Sequence, residues 1–295
     1  MQSEQFQLHA QIEDRHWWFM GRRKILRELV HKISPPPASD LIETKKRSIV
    51  VDIGCGTGAN LAALAGEYHC VGIDTSAEAI ALAQRRFPGV TFVCGSAPQA
   101  VSPWLKQASV VMLTDVLEHV EDDRALLASI VKACPPGTQI LITVPADMRL
   151  WSPHDVAFGH YRRYDADNLA AVWAGLPVSP RLVSHFNTRL YPVVRAVRAM
   201  SQWRGRTAGE ANTDFKLPLK PINAALEKCF EGEAPRLLRA IDTHKRAYRR
   251  GVSLVAVLMR DGNLLTQSKL PTSLVTFERL ALEESASIIP PAPAL

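Results

Sequence analysis

Two short stretches carry most of the residues able to do chemistry. In VVDIGCGTGAN, residues 50–60, Asp52 precedes a run that contains Gly54, Cys55, Gly56 and Gly58. Glycines so spaced at the end of an apolar strand let a ligand approach bare backbone N–H groups at a helix N-terminus. In HDVAFGHYRRYD, residues 154–165, the groups His154, Asp155, His160, Tyr161, Arg162 and Arg163 crowd one loop-like segment. Such a density reads either as a site or as a solvated surface loop. A smaller group, Thr114, Asp115, Glu118 and His119, lies in TDVLEH. There His119 either serves as a general base or hydrogen-bonds for structure.

The glycine spacing alone also satisfies the dinucleotide fingerprint, through Gly54, Gly56 and Ala59. Asp74, at the end of GID and followed by Thr75, can accept both ribose hydroxyls of any adenosine cofactor. Asp52 separates the choices, because a carboxylate two residues before the first glycine repels a pyrophosphate and favours a cation. S-adenosylmethionine carries a sulfonium and an ammonium and no phosphate. The charge pattern therefore favours it over NAD, and an NAD-dependent oxidoreductase stays as the alternative. Cys55, within the cofactor loop, is read as a small residue packing against the sheet rather than as a nucleophile.

The elements that must position these groups alternate regularly. SIVVDIG, HCVGID, VTFVCG, ASVVMLTD and TQILITVP read as short, almost wholly apolar strands, with ANLAALAGE, SAEAIALAQRRF and DRALLASIVKAC as helices between them. Fully apolar strands separated by helices predict a parallel sheet covered on both faces. A capping box, Thr75 to Glu78, is expected to open the second helix. PRLVSHFN and GVSLVAVLMR add two later strands. Residues 1–33 read as helical, with His16-Trp17-Trp18-Phe19 ahead of an apolar stripe, and the polar break SPPPASDLIETKKR follows. The expected organisation is an N-terminal extension and linker over 1–47, a main domain over 48–262, and a poorly ordered tail over 263–295. A helical insert over 188–250 holds 14 Lys and Arg against 6 acids.

VVDIGCGTG, GID and VVMLTDVLEHVED together resemble the first motif, the ribose-binding acid and the fourth-strand motif of class I S-adenosylmethionine-dependent methyltransferases. The resemblance covers roughly residues 48–186 and resumes at GVSLVAVLMR, which is similar to that family's final antiparallel strand. HWWF and HDVAFGHYRRY resemble elements of a bacterial subgroup. The resemblance implies a doubly wound, seven-stranded, mostly parallel α/β sheet with a helical extension and a helical insert. It also implies methyl transfer by in-line displacement, leaving S-adenosylhomocysteine. Many relatives hold the adenine with an acid after the third strand; here the chain reads Cys94-Gly95-Ser96-Ala97, and Ser96 or a backbone carbonyl takes that place.

On that fold the fifth strand delivers residues 154–165 to the carboxyl edge that carries the cofactor. Tyr161, Arg162 and Arg163 are then expected to position an acceptor, and His119, His154 and His160 are the candidate bases. Trp17, Trp18 and Phe19 form a lid over the cofactor, an aromatic wall for the acceptor, or anchors for the N-terminal helix. His154, Asp155 and His160 have no recurring metal-ligand spacing, so no metal is expected.

The 295 residues suffice for one large domain, and the five scattered cysteines suggest a reducing, cytoplasmic setting. No signal peptide or transmembrane stretch is expected. The net charge of +6 concentrates in the insert, which reads as a cap, or as a peripheral contact with an anionic membrane surface. Nucleic acid is not favoured, for want of a recognition module. The expected acceptor is a small molecule, lipid-linked or sugar-linked molecules included. A non-catalytic cofactor-binding scaffold is the alternative to an enzyme.

Overall fold

The computed structural model describes residues 3–36, 47–203 and 217–262. The linker centre, the middle of the insert and the tail, to which expectations were attached above, lie outside the described residues. β1 (Ile49–Ile53), β2 (His69–Asp74), β3 (Thr91–Cys94), β4 (Ala108–Thr114), β5 (Gln139–Pro145), β6 (Val178–Phe186) and β7 (Ser253–Arg260) form one sheet. Its order is β3-β2-β1-β4-β5-β7-β6. Only β7 runs antiparallel, between β5 and β6. This is the doubly wound seven-stranded fold expected.

Burial explains the sheet. Every residue of β1 is buried, and its side chains alternate between two cores: Val50 enters one, and Ile49, Val51 and Ile53 enter the other. The period of two therefore sends Asp52 to the Val50 side. Its register partners are Gly72 of β2 and Met112 of β4. The order reverses at β1, so the crevice between the carboxyl ends of β1 and β4 is the topological switch point.

The N-terminal extension is two helices, α1 (Ser3–Ile12) and α2 (Trp17–Ile33), rather than one. His16 caps α2, its ring accepting from Trp18 N–H at 3.3 Å. α3 (Ala59–Ala62) follows the glycine loop, and α4 (Ala77–Arg86) follows β2. The α4 cap is Ser76, which accepts from Ala79 N–H at 3.2 Å, so the box expected at Thr75 is displaced by one residue. α5 (Ser102–Leu105), α6 (Asp123–Ala133), the single turn and a half of α7 (Pro153–Ala157), and α8 (Ala166–Trp173) complete the alternation. The insert supplies α9 (Tyr191–Trp203), α10 (Lys220–Glu231) and α11 (Ala234–Thr243).

One core joins Ile25, Leu26, Leu29 and Val30 of α2 to Phe230 of α10 and to Leu237 and Ile241 of α11, over Val50 and Met112 of the sheet. Gly21 permits that approach: a Cβ there would lie 3.0 Å from Phe230 Cδ1. The extension and the insert thus pack on each other above the same sheet face. Among the described residues no helix is long and apolar enough to cross a membrane.

Candidate active site

The glycine loop turns with Gly54, Gly56 and Gly58 at φ of 69°, 52° and 84°. All lie in the left-handed region that a side chain disfavours. At Gly54 a Cβ would also lie 2.6 Å from Val116 Cγ2, and at Gly58 2.6 Å from Phe92 Cζ. At Gly56 it would meet open space, because that glycine faces a cavity of about 430 Å³. The loop is fixed from behind: Ile73 C=O accepts from Gly54 and Cys55 N–H at 2.8 and 3.0 Å, and Asp74 Oδ2 accepts from Gly56 N–H at 3.0 Å.

Asp52 lies beneath this loop, fully buried, and neither carboxylate oxygen has a hydrogen-bond partner. Burial pushes its pKa from 3.8 up to about 7, with Arg22 pulling it down and Asp74 pushing it up. A buried, unpartnered carboxylate at this depth fits a cationic ligand bound above it better than a phosphate. The residues present therefore fit the sulfonium cofactor expected from the sequence.

Arg22 of α2 reaches the same edge. Its side chain is 6% exposed, and Nη2 pairs with Asp115 Oδ2 at 2.7 Å and donates to Thr143 Oγ1 at 2.9 Å. Thr143 Oγ1 in turn donates to Asp115 Oδ1 at 3.0 Å. The guanidinium sits 5.0 Å from the Trp18 ring centroid, a cation–π contact. The sequence reading missed Arg22. The available signal was its position one helical turn after Trp18, on the same face. The turn after α1 closes the loop from outside: Thr57 Oγ1 donates to Glu13 Oε1 at 2.8 Å, and Arg86 of α4 pairs with both Glu13 and Asp14.

The far wall is aromatic and rich in imidazole. His119, His154 and His160 all line the cavity, with Trp17, Trp18, Phe19 and Phe158. His16, read from the sequence as structural, and His9, absent from the sequence expectation, line it too, His9 stacking on Phe158 at 5.5 Å. Burial lowers His9, His119 and His154 to about 4, so these rings are neutral at physiological pH. Neutral imidazoles accept a proton and do not repel a cation. Trp17 and Trp18 line the cavity and also pack against the core beneath α2.

The 154–165 segment is not a solvated loop. Asp155 is wholly buried and accepts from Ser152 N–H (2.9 Å), His160 Nδ1 (2.9 Å) and Arg163 Nε (2.8 Å). Arg163 lines the cavity but spends its guanidinium on Asp155 and Ala146 C=O. Tyr161 and Arg162, expected at the acceptor, lie outside the cavity lining. Tyr161 is 57% exposed, and Arg162 donates to Asp123 Oδ2 at 2.9 Å and to Glu121 C=O at 2.7 Å.

Of the cofactor candidates, Gly54, Cys55, Gly56, Thr114 and Asp115 line the cavity. Asp52 and Gly58 support the loop from below, while Asp74, Thr75 and Ser96 lie beyond the lining on the β2–β3 side. Asp74 remains at the strand end, its Oδ1 accepting from Ser76 N–H at 2.9 Å. The Cys55 thiol packs over Gly72, and burial pushes its pKa well up, which favours the neutral thiol over the nucleophilic thiolate.

Comparison with known proteins places this geometry in a family. The chain is 31% identical over 110 residues to the phosphoethanolamine N-methyltransferase of Triticum aestivum, covering 35% of this chain and 22% of the relative. It is 27% identical over 120 residues to the trans-aconitate 2-methyltransferase of Afipia carboxidovorans, covering 38% and 45%. The chain spans less than half the length of the curated relatives it matches. Among solved structures it is similar to Haemonchus contortus phosphoethanolamine N-methyltransferase 2 in complex with phosphomonomethylethanolamine and S-adenosylhomocysteine. That likeness has a TM-score of 0.46 and 17% identity, over 80% of this chain and 52% of the other. Residues 18–176, more than half of the 295, match the family described as Methyltransferase domain, and the chain belongs to that family.

Proposed function

We propose that this chain transfers the methyl group of S-adenosylmethionine to a small-molecule acceptor by in-line displacement. One observation carries the reading: the glycine loop and a cluster of neutral imidazoles and aromatic rings line the same cavity. S-adenosylmethionine is the cofactor, and it supplies an electrophilic methyl on a cationic sulfur. Gly54, Cys55, Gly56, Thr114 and Asp115 hold it, with Asp74 at the ribose. Arg22 serves its carboxylate. Asp52 and Asp115 provide the negative field that favours the cation.

The chain's part in the reaction is alignment and proton removal. Trp17, Trp18 and Phe158 exclude water and press an acceptor toward the loop. His119 or His154 accepts the proton of a hydroxyl nucleophile, and His160 of that cluster is oriented by Asp155. Val193 and Val197 of α9 line the cavity and are 61% and 51% exposed, which suits entry of an apolar acceptor. That apolar edge beside a basic insert also supports peripheral contact with anionic membrane. Cosedimentation with anionic vesicles tests it, and protein left in the supernatant removes it. The motifs HWWF, whose four residues line the cavity, and GHYRRY, of which His160 and Arg163 do, support membership of the bacterial subgroup that carries them.

Calorimetry with S-adenosylmethionine and with NAD tests the reading directly. Preference for NAD would overturn it, and binding without turnover of any acceptor would leave a non-catalytic scaffold.

The titration of Asp52 adds a pH signature. Affinity for S-adenosylmethionine should rise as pH increases through about 7, where Asp52 ionises in the free protein, and level off above. Asp52→Asn should flatten that profile and lower affinity by about tenfold, one charge-assisted interaction's worth. The stability effect has the opposite sign. The raised pKa penalises the folded state above about 7, and the penalty is relieved as pH falls toward 3.8. A wild-type affinity that does not change between pH 6 and pH 8 would exclude this role for Asp52.

A further inference from the structure

We propose that Glu118, His119 and His160 bind one divalent first-row metal ion, zinc being the best suited, on the acceptor wall of the cavity. One donor atom from each residue lies within 4.8 Å of the other two, and all three side chains line the cavity. Two imidazoles and a carboxylate suit zinc, cobalt, iron or manganese better than calcium or magnesium. Three protein ligands leave at least one coordination position open, the arrangement of zinc sites that act on a substrate.

One of the two imidazoles is already oriented from behind. Asp155 Oδ1 holds His160 Nδ1 at 2.9 Å, so Nε2 is the nitrogen left for an ion. Partners of this kind fix the tautomer of metal-ligating histidines and raise their basicity.

The third ligand is short of a partner. Glu118 is 1% exposed, and its Oε2 is buried without a hydrogen bond. A carboxylate shut away in this state is costly, and a cation supplies what it lacks. Tyr161 N–H donates to Glu118 C=O at 2.8 Å, fastening the 154–165 segment to the end of β4 and bringing the His119 and His160 rings to 4.7 Å. The sequence expectation of no metal weighed spacings within one loop, whereas these donors come from two remote segments. Binding draws them in to about 3.4 Å, the spacing that zinc–nitrogen bonds of about 2.1 Å impose in a tetrahedron. On the methyl-transfer reading, the open position takes a hydroxyl or carboxylate oxygen of the acceptor, and with His119 ligated His154 is the base that remains.

The test uses the full chain, stripped with a chelator, then titrated with Zn²⁺ by calorimetry and with Co²⁺ by absorption spectroscopy. One Zn²⁺ per chain is expected, with affinity reduced by about 100-fold or more in His119→Ala and His160→Ala. The visible bands of tetrahedral Co²⁺ should vanish in both. Glu118→Gln, which keeps the side chain's shape, should weaken binding as well, so a histidine variant that fails to fold does not decide the matter. No binding, or binding unchanged in Glu118→Gln and in a folded histidine variant, overturns the proposal. S-adenosylmethionine binding by the metal-free chain separates the two readings: its loss with zinc binding intact would remove the methyl-transfer reading alone.

Discussion

Asp155→Ala is expected to lower the melting temperature of this protein by about 10 °C. The figure follows from breaking a buried ion pair, which costs about 3–5 kcal/mol, in a domain where each kcal/mol moves the midpoint by about 2–4 °C. The Asp155 and Arg163 side chains are 0% and 5% exposed, so the arginine left behind has no water to replace its partner. Arg198 Nη1, 3.9 Å from Asp155 Oδ2, loses a counter-charge as well. Burial alone would raise the Asp155 carboxyl, but the His160 hydrogen bond and the Arg163 charge outweigh it and hold it well below the usual carboxylate range. A depressed pKa contributes stability that is fully present above the unfolded value and is lost only as pH falls through the folded one. The loss in Asp155→Ala should therefore be the same at pH 8 and pH 6. Asp155→Ala/Arg163→Met should recover part of it, because the stranded charge goes too. Thermal unfolding followed by circular dichroism checks all of these, and an unshifted midpoint would return the segment to the solvent-exposed class.

This network shows where sequence reading stops. The strands and the glycine loop were legible because their signals are local: unbroken apolar runs, a period of two, and glycines where only a left-handed turn fits. The alternation of Val50 and Val51 even settles which face Asp52 takes. Arg162 and Arg163 are adjacent and chemically identical, yet one goes to Asp123 at the start of α6 and the other to Asp155 inside the protein. Those choices depend on partners supplied by the fold, so the residue type could not separate acceptor contact from scaffold. His16 hid the break between α1 and α2 for a related reason, since histidine is outside the usual N-cap set. Arg22 was passed over because arginine is rarely buried unless paired, and its partners, Asp115 and Thr143, lie on β4 and β5. The metal-type cluster is the same case, its donors joined by one backbone hydrogen bond between remote segments.

Arg22→Met should reduce affinity for S-adenosylmethionine by about 100-fold, the loss of one well-placed charge-assisted pair of about 3 kcal/mol. Two effects oppose each other at this position. Removing a positive charge favours a cationic ligand in a region that already holds Asp52, Asp115 and Glu118, whereas removing the guanidinium takes away the group suited to a carboxylate. The geometry favours the second. Arg22 is fixed by Asp115 at 2.7 Å and by Thr143 at 2.9 Å, and Trp18 covers its face, so its remaining donors enter binding with little further ordering. A decarboxylated analogue of the cofactor keeps the sulfonium and ammonium and lacks only the anion, so it isolates the contact. Wild-type protein should prefer S-adenosylmethionine to that analogue, and Arg22→Met should lose the preference while binding the analogue as well as wild type or better. Arg22→Lys should restore only part of it, because an ammonium lacks the planar fork that grips a carboxylate through two hydrogen bonds. Equal loss for both ligands would instead make Arg22 a brace for Asp115, whose backbone is held at φ 59° and needs its partners to stay there. Calorimetric titration of both ligands against the three proteins distinguishes an arginine that reads the cofactor from one that only shapes the residue beside it.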